Sequence, residues 1–215
     1  MGERLAIAIE EGKKKVFASA LEWPGWSRGG TTPEGAVEAL LAYAPRFAPV
    51  AQLAGLPFGT AFDADVVEET GGGSATDWGV PSVLTFAADR RPVDAAEAAR
   101  LAAMVEAAWA TFDKVAAGAP AELRKGPRGG GRDRDKMVDH VDGSDWYYAK
   151  DMGIRLPEPA SRADVEGMRA AMLEALRQPS DGSPMGGRRW PARYAARRIA
   201  WHALDHAWEM EDRAT

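Results

Sequence analysis

The chain has no cysteine among its 215 residues and only three histidines. The first absence excludes disulfides, thiolate metal sites and a cysteine nucleophile. No apolar run approaches the ~18–20 residues needed to cross a bilayer. Even so, 46% of the residues are hydrophobic, enough for a packed core in one large domain or two small ones. The N-terminus lacks the basic-then-apolar pattern of a secretory leader, so the expected compartment is the cytoplasm. Positive charge is in deficit, 27 Lys and Arg against 32 Asp and Glu. A net charge of -5 argues against non-specific nucleic-acid binding, while leaving room for a local basic patch.

The hydrophobic period changes near residue 90 and divides the chain into 1–90 and 91–215. In the first part Leu5, Ile7 and Ile9 alternate with smaller residues, as in a half-buried strand. Glu11-Gly12 offers a turn, and Val16 to Leu21 reads as the hairpin partner. Trp23-Pro24-Gly25-Trp26 breaks that strand. Thr32 caps a helix that opens on Pro33, whose missing N–H costs nothing there. Ala36, Val37, Leu40, Leu41 and Ala44 give that helix an apolar face, with Pro45 near its end. Val66-Val67 and Val83 to Phe86 read as short strands, separated by a flexible Gly71-Gly72-Gly73-Ser74.

From Asp94 onward the period is helical. Asp94 and Glu97 have capping-box spacing. Leu101, Met104, Val105, Ala108, Phe112 and Val115 form one stripe, ended by Gly118 and Pro120. A second helix is expected from about Asp133 to Gly153, and a third from Ser161 to before Pro179. The fourth starts at Trp190-Pro191. Four amphipathic helices of this length predict a bundle, and the fold class is α+β.

The string Phe17-Ala18-Ser19-Ala20-Leu21-Glu22-Trp23-Pro24-Gly25-Trp26-Ser27, with Gly30-Thr31, Glu34 and Ala36, resembles HicB-like domains over roughly residues 3–50. That resemblance implies a small α/β module and includes antitoxins that bind a partner toxin; no helix-turn-helix or ribbon accompanies it here. Trp23, Pro24 and Trp26 either pack the sheet end against the bundle or belong to a lid.

His202 and His206 stand four residues apart, one helical turn, so both rings leave one face of the last helix. Two imidazoles so placed reach one metal without backbone strain. His140, on the second helix, can meet them across a bundle core. Three neutral imidazoles suit zinc, nickel or iron(II). The stretch from Arg198 to Glu209, with Asp139-His140-Val141, resembles the DinB/YfiT-like superfamily over about residues 91–213. By that resemblance the chain carries a DinB-like four-helix bundle whose metal ligands are His140, His202 and His206.

The last helix has its charges reversed against the macrodipole. Arg188, Arg189, Arg193, Arg197 and Arg198 lie at its start, with Glu209, Glu211 and Asp212 at its end. Each placement costs roughly 0.3–1 kcal/mol where exposed, which predicts compensating partners. At about 100° per residue, Glu209 falls near the histidine direction. It is the candidate catalytic residue, as proton acceptor or as a partner of a ligand ring, with an ion pair to Arg213 as the alternative. Asp205, on the other side of His202, could orient a ligand ring. Ser144 and Tyr147 share the His140 face, and Tyr147 either binds a substrate or fills the core. The Lys125–Arg132 loop pairs glycines with Arg128 and Arg132 at a helix start, a pattern that grips an acidic group or stays solvated. Arg128, Arg132 and Tyr147 are thus the candidate cofactor-binding residues.

The superfamily resemblance implies a metal-dependent enzyme, foremost a transferase using a low-molecular-weight thiol on small electrophiles. A metal-dependent hydrolase and a non-catalytic metal- or partner-binding stress-response protein are the alternatives. Expected partners are a small-molecule substrate or thiol, and a homodimer is left open. Since the chain has no cysteine, any thiol arrives as a ligand.

Overall fold

The computed structural model describes residues 2–81, 86–126 and 131–214. Strand β1 (Glu3–Glu11) and β2 (Val16–Ala20) form the expected hairpin, with Ile7 opposite Ala20 and Glu11 opposite Val16. β3 (Ser27–Gly30) continues antiparallel on the outside of β2. The chain then crosses over through α1 (Pro33–Ala42) and α2 (Ala44–Leu53), and β4 (Phe62–Gly71) pairs parallel to β1. The sheet order is β3-β2-β1-β4. The register of β4 slips between Ile7 and Ala8, so Val67 is the extra residue of a bulge.

β1 was expected to be half-buried, but Ala8 and Glu10 are buried along with Leu5, Ile7 and Ile9. The cause is cover on both faces. Helices α1 and α2 lie on one side, where Trp26 stacks on Phe47 at 5.3 Å and donates its indole N–H to the Leu40 carbonyl. On the other side Phe17 meets Trp201 edge-on, and Thr76 hydrogen-bonds the Glu10 carboxyl.

Two expectations about the first half need correction. Ala44 does not belong to the first helix: α1 ends at Ala42, near Pro45 as expected, and the chain pivots at Tyr43 into α2, with Pro45 in its first turn, where proline is tolerated. Gly71–Ser74 is not a free linker, because Gly72 donates to the Glu11 carbonyl and Gly73 to the Thr76 hydroxyl at the start of α3 (Ser74–Trp78). The expected strand at Val83–Thr85 lies outside the described residues; Phe86 is buried and leads into a 3-10 turn, Ala87–Arg90.

The second half follows its capping signals. Asp94 accepts from the Glu97 amide at the start of α4 (Ala95–Gly118), and Ser161 accepts from Asp164 at the start of α6 (Arg162–Leu176). Between them lies α5 (Arg134–Asp151), and α7 (Ala192–Arg213) closes the chain. α4 packs on α6 and α7, and α5 packs on the same two, so the four helices form a ring. Buried apolar residues run without a break from the sheet into this ring. The turn glycine Gly25, with φ +94°, lies against Ala200 and Leu204 of α7. The Trp23 and Trp26 rings instead meet Phe47 and Phe58 within the first half. Among the described residues no helix is long and apolar enough to cross a membrane.

Candidate metal centre

α7 is buried round most of its circumference, the pattern of a helix enclosed on several sides. Its alanines at 192, 195, 196, 200, 203 and 207 are all buried and let neighbours approach closely. That setting puts His202 inside the protein, 6% exposed, while His206 one turn later is half-buried.

α5 brings His140 to them. Its Nε2 lies 3.2 Å from His202 Nε2, and the three ring centroids are 4.7–5.0 Å apart. One nitrogen from each ring lies within 4.8 Å of the others. Metal–imidazole bonds of about 2.0–2.1 Å let two ligand nitrogens stand up to about 4.2 Å apart, so small ring movements complete the set. The electrostatics fit as well. Burial, and then the positive charge of Arg132, push the His140 imidazole down to about 4. Burial and repulsion from His206 hold His202 well below the usual range. Both rings are therefore neutral at pH 7, as ligation requires.

Glu209 combines the two roles left open from sequence. Its Oε2 accepts from His206 Nδ1 at 3.0 Å, and its Oε1 accepts from Arg213 Nη1 at 2.6 Å. The hydrogen bond from His206, with that from Arg213, holds the carboxyl below its usual range despite burial. Glu209 thus fixes the His206 ring with Nδ1 protonated and Nε2 left for a ligand, a second-layer arrangement common at metal sites. Gly131 leans on the Arg213 guanidinium, which also donates to the Arg124 carbonyl, so the approach to α5 is tied to the end of α7.

The other predicted residues divide. Tyr147 is 61% exposed, with its ring beside Trp146, and is not brought to the histidines. Its neighbour Tyr148, passed over in the sequence, lies 5.7 Å from the His202 ring and accepts a hydrogen bond from Arg198 at 3.0 Å. Ser144 donates to the His140 carbonyl. Arg132 is exposed, yet its charge reaches both His140 and His202. Arg128 lies outside the described residues. Asp205 orients no ring; it accepts from Arg28 of β3 at 3.3 Å.

Arg188 and Arg189 lie exposed before the helix begins, and the reversed charges within α7 find partners. Arg193 pairs with Glu97, Arg197 with buried Asp89 at 2.5 Å, and Arg46 of α2 with both Glu211 and Asp212.

Comparison with known proteins adds no relative: no family model, no curated protein and no solved structure matches the chain.

Proposed function

We propose that His140, His202 and His206 hold one divalent metal, zinc, nickel or iron, in a DinB-like four-helix bundle joined to a HicB-like module. The observation that carries this reading is the triangle of three imidazoles, with Glu209 behind His206. We infer further, from the resemblance of the bundle, that the chain is a thiol-dependent transferase acting on small electrophiles. A metal held there supplies Lewis acidity, lowering the pKa of a thiol or water that joins it.

The chain's own residues supply binding and orientation. Glu209 acts through His206, holding its tautomer, and is a positioning residue. Arg198 occupies a lone pair of the Tyr148 oxygen, which leaves the phenolic hydrogen free to be donated beside His202. Arg132 stands within electrostatic reach of two histidines, suited to the acidic end of a thiol. In the transfer, sulfur forms a bond to the electrophile's carbon, the leaving group departs with its electron pair, and the thiol proton passes to solvent.

The test has two stages. Protein purified without chelator or histidine tag is assayed for metal content, and a stoichiometric divalent metal that disappears in the triple alanine variant is expected. The loaded protein is then offered low-molecular-weight thiols with chlorodinitrobenzene. Absence of metal in the first stage overturns the site. Bound metal without thiol turnover, but with ester or amide cleavage, moves the assignment to a hydrolase.

A further inference from the structure

A groove of about 550 Å³ opens where the edge of the sheet meets α7, lined among others by Lys15, Phe17, Arg28, Gly29, Gly30 and Asp205. We propose that it binds a small molecule through a carboxylate held by Arg28. The proposal stands whether or not the histidines hold a metal.

Three observations converge on it. First, the Arg28 guanidinium is set in place: it lies 3.8 Å over the Tyr43 ring and 5.7 Å from Trp208. Stacking of this kind fixes the plane of the fork, so little freedom is lost when a ligand is gripped. Second, its donors are scarcely used. Among the described residues only Nη1 is engaged, by Asp205 at 3.3 Å, a long contact for an ion pair. Arginine has five N–H donors, and a forked carboxylate contact takes two of them. Lys15, exposed and in no ion pair among the described residues, adds a second positive charge to the same groove. Third, the wall is backbone. β3 is an edge strand of the sheet, and exposed Gly29 leaves its main chain accessible to a flat ligand, while Gly30 lies against the α1 backbone at Gly35 and Ala36. A carboxylate attached to an amide matches this combination, the acid on Arg28 and the amide along the strand edge.

Hippurate carries both groups, and hippuramide is its neutral counterpart. The full-length 15N-labelled protein is titrated with each to roughly 20 mM, with and without prior chelator treatment. Hippurate is expected to shift the Gly29 and Gly30 amides and the Arg28 Nε resonance in both preparations, and hippuramide to shift them far less. Arg28→Gln weakens binding about tenfold or more, and Arg28→Lys restores only part because an ammonium lacks the fork. Lys15→Gln, a change at an exposed side chain, weakens it by about threefold. If Arg28→Gln does not fold by circular dichroism, the Lys15 variant and the hippuramide control decide. Equal binding of hippuramide, shifts that persist in Arg28→Gln, or no binding at all overturns the proposal. So does binding that needs the metal and ignores Arg28, which would place the carboxylate at the histidines.

Discussion

Replacing Arg169 by methionine is the sharpest test of what holds α5, and with it His140, in place. The Arg169 side chain is 7% exposed and bridges three helices. It donates to Asp113 of α4 at 3.1 Å and to Asp142 and Asp145 of α5 at 3.0 and 3.2 Å, and it lies 5.0 Å from the Trp109 ring. Methionine fills much of the volume but leaves Asp142 and Asp145 without their ion-pair partner, while Asp113 keeps Arg162, and Asp145 is 1% exposed. Removing one partner of a buried pair costs about 3–5 kcal/mol. Against a total stability of about 5–15 kcal/mol, that is a large fraction. At about 2–4 °C per kcal/mol for a chain of this size, Tm should fall by roughly 6–20 °C. The loss also has a definite pH dependence. Burial pushes the Asp145 carboxyl up to about 7 against the pull of Arg169. A carboxyl whose folded pKa is raised favours the folded state below its unfolded value of about 3.9, and that contribution is lost as pH rises through about 7. Without Arg169 the folded pKa rises further, so the variant should be hurt more at pH 8 than at pH 5, where Asp145 can be neutral. Urea unfolding at the two pH values reads both effects. A loss under about 1 kcal/mol, or equal losses at both pH values, would refute the reasoning.

Each single alanine replacement of His140, His202 or His206 should weaken cobalt(II) binding by more than about tenfold, read by visible absorption, with the fold kept by circular dichroism. Glu209→Gln should keep the metal but weaken it by about 10–100-fold, because the ring partner loses its charge; unchanged affinity removes Glu209 from the site. Gly25→Ala should cost more than about 1 kcal/mol in thermal unfolding. Its φ is +94° and the new methyl would stand 2.7 Å from Leu204 Cδ1, so a neutral result would show that the turn can relax away from α7. Arg197→Leu should destabilise by about 3 kcal/mol, since it strands Asp89, which is 4% exposed; Asp89→Asn with Arg197→Leu together should recover part of that loss.

What the sequence revealed was local. Alternation at Leu5, Ile7 and Ile9 marked β1, and hydroxyl or carboxylate caps at Thr32, Asp94 and Ser161 marked three helix starts, because each signal is complete within a few residues. The i,i+4 histidine spacing did the same for the pair on α7. What it concealed depended on distant partners. β4 is acidic and largely exposed, so it shows no clean alternation, and only its pairing with β1 makes it a ten-residue strand. The choice of Tyr147 over Tyr148 failed for a related reason. His140 was treated as pointing to the core, but it reaches His202 from a half-buried position, so a residue on its line can face solvent. Tyr148, about 80° further round by helical geometry, is the one that meets α7. Arg28 and Asp205 are 177 positions apart, and nothing local to either announces the other.

The reversed charges of α7 then become intelligible as a device for fixing rotation. Exposed, they would each cost roughly 0.3–1 kcal/mol against the dipole. Here each pairs in a different direction. Arg193 reaches α4, Arg197 the 3-10 turn at Asp89, Arg198 α5 through Tyr148, and the terminal acids α2 through Arg46. The six buried alanines lie along one stripe of α7, where small methyl groups alone fix the rotation only loosely. Charged or hydrogen-bonding partners on four elements admit one rotation only. A turn of about 100° would break these pairs together and carry His202 and His206 away from His140. The ion pairs therefore matter less for net stability, which buried pairs often fail to raise, than for setting the angle at which the two histidines face the third.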